Sequence, residues 1–411
     1  MDASRPPLLI LATPDWDGDY MKSTVALTQE LASSYRILYV EHAPTFTSLG
    51  RQAVQGAWRP TVDAMRRSRA RVRSVRTTRG ATVHVLTPPP VWPMNGLPPR
   101  LYDAVLRRNA AVVQRAVQPW LERLAMDTPV VLSALNPHYG KALAGAFDET
   151  GRIYYCYDEI RARRWNGRHG GRMEDAYLPQ ADAVIASSPA LHGRLRQQHE
   201  AAYLVPNGVN FSLFNQAAQG RSRTDAPPCV GYLGSLDDRL DYQLLRRLIE
   251  RHPAWRFRFV GRVVSPAAEA LRAYPHVTLT GAQPPHTLPD ALRRMDVGLI
   301  PFVCNDFTRH IYPLKANEYL AAGLPVVATA FADLSMLQEV VTIARNAASF
   351  LHAVETLIEE GDAPAQRPQR IAVAATNRWS ARADAVRGII ERVRTRAPAK
   401  PSPAELASAR P

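Results

Sequence analysis

His310-Ile-Tyr-Pro-Leu-Lys-Ala-Asn-Glu-Tyr-Leu-Ala-Ala-Gly-Leu-Pro-Val-Val-Ala-Thr329 reads as a turn, a short helix, a glycine stop and a buried strand. Pro313 suits the first helical position, because its missing N–H would lack a partner there anyway. Leu314 to Ala322 contains good helix formers, and Gly323 supplies a left-handed cap. Pro325-Val-Val-Ala328 is a short apolar strand. A helix that starts this way aims unpaired N–H groups forward, and an anion is the natural guest. Lys315 puts a positive charge in the first turn, where the helix dipole prefers a carboxylate; a phosphate ligand resolves that conflict. Glu318, one turn further in, can accept two hydrogen bonds from a vicinal diol, each contributing roughly 1.5–3 kcal/mol when charge-assisted. Phosphate at the helix start and ribose hydroxyls on the glutamate describe a nucleotide-sugar site. For the Lys/Glu pair taken alone, a solvated helix face is the plain alternative.

Outward from this stretch, apolar runs alternate with helical ones. Leu8–Ala12, Arg36–Val40, Thr82–Leu86, Val130–Leu135, Ile153–Tyr157 and Ala183–Ala186 read as strands of a first unit. Ser23–Leu31 and Leu101–Leu124 read as its helices. Val230–Leu233, Trp255–Val260, Val277–Leu279, Val297–Pro301 and Pro325–Ala328 are the strands of a second. Such alternation implies parallel pairing, so the fold class is α/β with two doubly wound, Rossmann-like domains. The expected boundaries are 1–205, 206–376, a final amphipathic helix over 377–396 and a disordered Pro/Ala/Ser-rich tail over 397–411.

The 411 residues carry a formal charge of +14 and three scattered cysteines, which argues against a disulfide framework or a structural zinc. A reduced cytoplasm fits, and no apolar run is long enough for a signal peptide or a membrane span. Between Arg51 and Arg79 nine arginines face one acid, Asp63. Such a segment suits an anionic membrane surface or nucleic acid, or simply reflects the heavy arginine usage of the whole chain.

The 310–329 stretch resembles the donor-binding element of GT-B glycosyltransferases, in particular the retaining family 4 (group 1) enzymes and their teichuronic-acid-type polysaccharide subgroup. Glu318 matches the second of that family's two glutamates, and His310 stands where the first would be. The resemblance implies two Rossmann-like domains facing a central cleft. The first binds acceptor, the second binds the nucleotide sugar, and the last helix crosses back to the first. It implies a retaining transfer from a UDP-sugar, or a GDP-sugar, to a glycan or lipid-linked acceptor in cell-surface polysaccharide synthesis. No metal and no cofactor beyond the nucleoside-diphosphate sugar co-substrate is expected. The expected donor-binding residues are Gly234, Ser235, Gly261, Arg262, Gly281, Pro313, Leu314, Lys315 and Glu318. Arg239, Lys315, His138 and Asp158 are the catalytic candidates. Gly234 would let backbone approach the diphosphate, and Arg239 would compensate its charge. His138 follows a core strand where relatives contact the transferred sugar, with an ordinary loop histidine as the alternative. Asp158 would face the cleft or cap the next segment. Asp15, Trp16, Asp17, Gly18 and Asp19 form a candidate acceptor loop. The expected place is the cytoplasm, at the inner membrane face if Arg51–Arg79 binds lipid.

Two other functions stay open at this level. One is a GT-B nucleotide-sugar epimerase, for which the sequence offers no obvious proton-transfer pair. The other is a basic nucleic-acid-binding protein, for which no zinc finger, aromatic RNA-binding signature or P-loop accompanies the charge. A Rossmann dehydrogenase is disfavoured, because no Gly-x-Gly-x-x-Gly joins the first strand to its helix.

Overall fold

The computed structural model describes residues 5–18, 21–49, 71–162, 168–219, 226–361, 363 and 365–396. Asp19, residues 51–70 of the basic segment and the 397–411 tail therefore lie outside the described residues. The first sheet contains β1 (Pro7–Ala12), β2 (Arg36–Val40), β3 (Arg71–Arg76), β4 (Thr82–Thr87), β5 (Val130–Ala134), β6 (Gly151–Cys156), β7 (Ala183–Ala186) and β8 (Ala202–Leu204). Their order is β3-β4-β2-β1-β5-β6-β7-β8. All described pairings are parallel except β3 with β4. The second sheet contains β9 (Cys229–Leu233), β10 (Arg256–Val260), β11 (Val277–Leu279), β12 (Val297–Ile300), β13 (Val326–Thr329) and β14 (Thr342–Ala344), ordered β11-β10-β9-β12-β13-β14 and wholly parallel.

Both orders reverse beside their first strand, between β1 and β5 and between β9 and β12. Crevices at the carboxyl ends of such strands are where ligands bind in open α/β sheets. Burial explains the layers. In β1, Leu8 and Ile10 join one core with the Ser23–Leu31 and Trp379–Arg396 helices, while Leu9 and Leu11 face another with the Pro99–Arg123 helix. A strand covered on both faces reads as a continuous apolar run. The Pro99–Arg123 helix buries Tyr102, Leu106, Ala110, Val113, Val117 and Leu121, a stripe at helical spacing.

Three short or polar strands depart from the sequence expectation. Arg-Val-Arg-Ser-Val-Arg, read as part of a basic segment, forms the antiparallel edge strand β3. Arg73 on it is paired with Asp17 at 2.7 Å and with Glu41 at 3.0 Å. Arg79 pairs with Glu30 at 2.8 Å. β8 and β14 close their sheets with three residues each, too few to show a period.

The first domain also holds a buried charge cluster. Glu174 is fully buried and is bound by Arg194 at 2.6 Å, Arg161 at 3.4 Å and the Tyr154 hydroxyl at 3.0 Å. Arg194 reaches Glu159 as well, at 3.1 Å. Removing Arg194 takes the shared cation from two buried carboxylates, Glu159 and Glu174, and leaves Glu174 only the longer contact to Arg161. Arg194→Ala is therefore expected to lose about 3–5 kcal/mol of stability, read as a lower urea midpoint at unchanged slope.

Candidate active site

The residues singled out above lie at carboxyl ends of parallel strands, on the facing edges of the two sheets. Gly234 and Ser235 follow β9, Gly261 and Arg262 follow β10, and Gly281 follows β11. Asp15 to Gly18 follow β1, His138 follows β5, and Asp158 follows β6.

Three glycines form the floor of the donor side. Gly234 N–H donates to Val260 O at 2.8 Å, and Gly261 N–H donates to Gly281 O at 2.9 Å. Gly234, Gly261 and Gly281 have φ of 138°, 149° and 75°. A β-carbon on Gly261 would sit 1.9 Å from Gly234 O, so the two loops touch backbone to backbone. A β-carbon on Gly234 would lie 3.2 Å from Lys315 Cε. The Gly234 N–H is thus spent within the sheet; what the glycine provides is room beside Lys315.

The helix after β12 runs Leu314–Ala321. Pro313 is its N-cap, with φ −76° and ψ 107°, one position earlier than expected. No side chain caps the start, so its first N–H groups face the cleft. Gly323, at φ 68°, ends it as anticipated. Tyr319 locks the helix to the sheet. Its hydroxyl accepts from Leu233 N–H at 2.7 Å and lies 3.4 Å from Leu299 O. β9 and β12 pair only at Val297–Val230 and Gly298–Gly231 before they part. Tyr319 supplies the partner that the diverging ladder withholds. No local signal marks this role, since Tyr319 reads as one more apolar helix position.

Lys315 lies over two aromatic rings, with Nζ 4.5 Å from the Phe302 centroid and 5.2 Å from that of Tyr232. Its ammonium makes no hydrogen bond among the described residues, and neither does the Glu318 carboxylate. Both side chains keep part of their surface open to the cleft. Burial, followed by the charge of Arg239, lowers the pKa of Lys315; Glu318 and Asp237 oppose this. Burial raises Glu318, with Lys315 opposing. Arg239 is no surface arginine. It is bound to Asp237 through two nitrogens, at 2.8 and 2.6 Å, and overhangs the same Phe302 ring at 5.6 Å. Burial alone would raise Asp237, but Arg239 outweighs it and holds that carboxyl low. Arg262 is exposed, and its carbonyl accepts from Leu236 N–H at 2.9 Å.

On the first domain, Asp158 is close enough to act electrostatically on Arg239 across the cleft. His138 is not an ordinary loop histidine. It is buried in the Pro137–Ala142 helix, which Asn136 caps, and its Nδ1 meets the Tyr102 hydroxyl at 2.5 Å. Trp16 is buried against Tyr39, and its backbone N–H donates to Glu41 Oε1 at 2.9 Å. Asp15 and Asp17 are both exposed; partial desolvation and nearby Glu41 raise the pKa of Asp15, and Asp17 is paired with Arg73. Glu41, which organises this loop through Trp16, Arg73 and Thr87, escaped sequence reading because its partners are remote in the chain.

The two edges are joined near the site. Ser188 donates to His310 O at 2.7 Å, and His310 Nε2 lies 3.7 Å from Glu159. Leu314 packs against the first-domain core, and Met21 against the second. Asn207-Gly208 lies at the junction of the two domains, where the chain crosses the 377–379 segment. Val209 N–H donates to Asn377 O at 3.0 Å, and Trp379 N–H donates to Val209 O at 3.2 Å.

This arrangement is the GT-B fold. The structure superimposes on sucrose-phosphate synthase of Thermosynechococcus elongatus with a TM-score of 0.69 at 18% identity, covering 95% of this chain and 99% of that one. It superimposes on Anabaena HepE, solved in complex with UDP, with a TM-score of 0.64 at 15% identity, covering 94% and 100%. Residues 227–360 match the family model described as glycosyl transferases group 1. Over 218 residues it is 27% identical to TuaH of Bacillus subtilis (strain 168), which is named as a teichuronic acid biosynthesis glycosyltransferase. That match covers 49% of this chain and spans about half (55%) of the relative. Among the described residues no helix is long and apolar enough to cross a membrane.

Gly261→Ala forces a β-carbon into the Gly234 carbonyl and should cost at least about 2 kcal/mol, visible as a lower melting temperature. A bound diphosphate favours charged Lys315, whose pKa is lowered by burial and by Arg239. Affinity for UDP is therefore expected to fall as pH rises into the mildly alkaline range, where an unperturbed lysine stays charged. Titration calorimetry across that range should show the decline in the native chain, and a weaker affinity without it in Lys315→Met.

Proposed function

We propose that this protein transfers a sugar from a nucleoside-diphosphate donor, with UDP-sugars favoured, to a glycan or lipid-linked acceptor, with retention of configuration. The observation that carries the reading is local. An uncapped helix start, an ammonium without hydrogen-bonded partners and a carboxylate without one converge beside Gly234 at the second switch point. The group 1 family match and the UDP held by HepE support the same reading.

In this mechanism Lys315 and the helix N–H groups hold the diphosphate and compensate the charge that grows on it as the glycosidic bond breaks. Glu318 accepts from the ribose hydroxyls. Arg239, tied down by Asp237, adds positive potential while being held from direct competition with Lys315. The departing phosphate oxygen takes the acceptor proton, so no protein base is required. His138 and Asp158 line the first-domain side and orient sugar and acceptor, with Asp15 and Trp16 at the acceptor edge. The TuaH likeness supports a role in cell-surface polysaccharide synthesis. An inner-membrane position through Arg51–Arg79 rests on charge alone.

Calorimetry with UDP and GDP tests the reading. UDP should bind, and Glu318→Ala should weaken it by tenfold or more, as expected for losing charge-assisted bonds of about 1.5–3 kcal/mol each. Absence of binding by both nucleotides, with Glu318→Ala indistinguishable from the native chain, would refute it.

A further inference from the structure

A cavity of about 580 Å³ opens beside the domain crossing, away from Lys315 and Glu318. That size lies within the range of small-molecule sites. One wall is a face of the Ser23–Leu31 helix bearing Val25, Ala26, Gln29 and Glu30. The opposite wall comes from Val209–Ser212 at the entry to the second domain and from Arg378–Ser380 where the chain returns. Trp16 and Lys22 link its rim to the candidate acceptor loop, because Lys22 donates to Asp15 O at 2.7 Å.

The lining combines two kinds of surface. Met21, Val25 and Phe211, with the edges of Trp16 and Trp379, are apolar. Between them stand polar groups with unspent capacity. The Gln29 amide and the Ser380 hydroxyl make no hydrogen bond among the described residues. Arg378 uses Nε on Ala375 O at 2.8 Å and leaves its terminal nitrogens unengaged among those residues. An acyl chain here would cover these groups without satisfying them, which costs free energy. A pyranose ring matches better, with C–H faces for the apolar patches and a rim of hydroxyls for the amide, the hydroxyl and the guanidinium. The charges select further. Among the described residues, Arg79 is paired with Glu30 at 2.8 Å and Lys22 is turned onto the Asp15 and Asp17 carbonyls, whereas Arg378 still offers its terminal nitrogens. A ligand carboxylate engages such a planar fork better than a further hydroxyl does.

We propose that this cavity is a binding site for an acidic oligosaccharide, in which uronic-acid units of an extended acceptor lie alongside the Ser23–Leu31 helix while the reacting end reaches the cleft past Trp16. The proposal rests on the glycosyltransferase reading and deepens it, since it names the class of acceptor. Because both domains and the crossing line the cavity, a bound glycan bridges them.

The test is calorimetry on the full chain without donor, at about 0.15 M salt to screen long-range attraction, with trigalacturonate and maltotriose as probes. Trigalacturonate should bind, and maltotriose should bind more weakly by about tenfold or more. Gln29→Leu and Arg378→Glu should each weaken trigalacturonate by about tenfold, the effect of one lost hydrogen bond to a charged group. UDP affinity should be unchanged in both variants. No trigalacturonate binding, or binding that Gln29→Leu leaves untouched, overturns the proposal, the latter because it would reflect charge alone. If UDP binds normally while trigalacturonate does not, only this site falls. If UDP also fails to bind, the reading of the cleft falls with it.

Discussion

The structure depends on a short crossing of two chain segments. Val209 N–H donates to Asn377 O at 3.0 Å and Trp379 N–H donates to Val209 O at 3.2 Å, and a β-carbon on Gly208 would strike the Trp379 ring at 2.8 Å. Asparagines reinforce the crossing. Asn207 donates to Tyr312 O at 3.3 Å, Asn317 donates to Asn207 O at 3.3 Å, and Asn377 donates to Asn317 at 3.0 Å. Asn317 belongs to the same helix as Lys315 and Glu318, so the donor helix is tied directly to the domain junction. From there the chain runs into the Trp379–Arg396 helix, whose Val386, Ile389 and Ile390 are buried in the first-domain core. A rotation of one domain on the other would therefore be felt at the start of the donor helix through a continuous path of hydrogen bonds.

The cleft is polar where the fold can tolerate unspent charge and saturated elsewhere. Glu41, Glu159 and Glu174 are buried and each is bound by arginine. Such pairs recover part of their desolvation cost through geometry and hydrogen bonds. Lys315 lacks that compensation and lies instead over Phe302 and beside Tyr232, and the Glu318 carboxylate one turn on makes no hydrogen bond among the described residues. Phe302 is positioned from two directions. Thr329 donates to its carbonyl at 2.6 Å, and Val303 N–H donates to Arg239 O at 2.8 Å. The rigid ring thus sets the height of both cations above the glycine floor, and the free energy stored in desolvating them becomes available to a charged ligand.

What sequence alone revealed follows from how local each feature is. The continuous apolar strands and the Ser23–Leu31 and Leu314–Ala321 helices were legible, because buried parallel strands and amphipathic helices write their period into a few residues. Lys315 and Glu318 were legible as a pair one helical turn apart. β3 was hidden behind its arginines, since an edge strand needs no apolar face when its side chains find remote acids such as Asp17 and Glu41. Tyr319, Asn317 and Glu41 carry no local signal, because each acts on a group brought near only by the folded topology. His138 looked like a loop residue until the Tyr102 helix covered it. Pro313 was misplaced by one position, because fixing φ near its usual value suits the N-cap as well as the first turn.

Composition and site meet in the choice of lysine. The chain has 51 basic residues, of which only Lys22, Lys141, Lys315 and Lys400 are lysines. Where the fold needs a cation to bind a carboxylate it uses arginine, whose planar fork engages both oxygens, as Arg239 does with Asp237 and Arg172 with Asp103. Position 315 imposes the opposite demand. A β-carbon on Gly234 would already crowd Lys315 Cε at 3.2 Å, so the space suits a narrow stem and not a broad planar group. A guanidinium there would also find Glu318 and be neutralised by it in the manner of Arg239. An ammonium is a compact point charge whose protonation responds to desolvation. In this cleft that keeps the charge available for an incoming phosphate. The rarity of lysine elsewhere makes its presence at the donor helix a physical requirement of the site and not a reflection of overall usage.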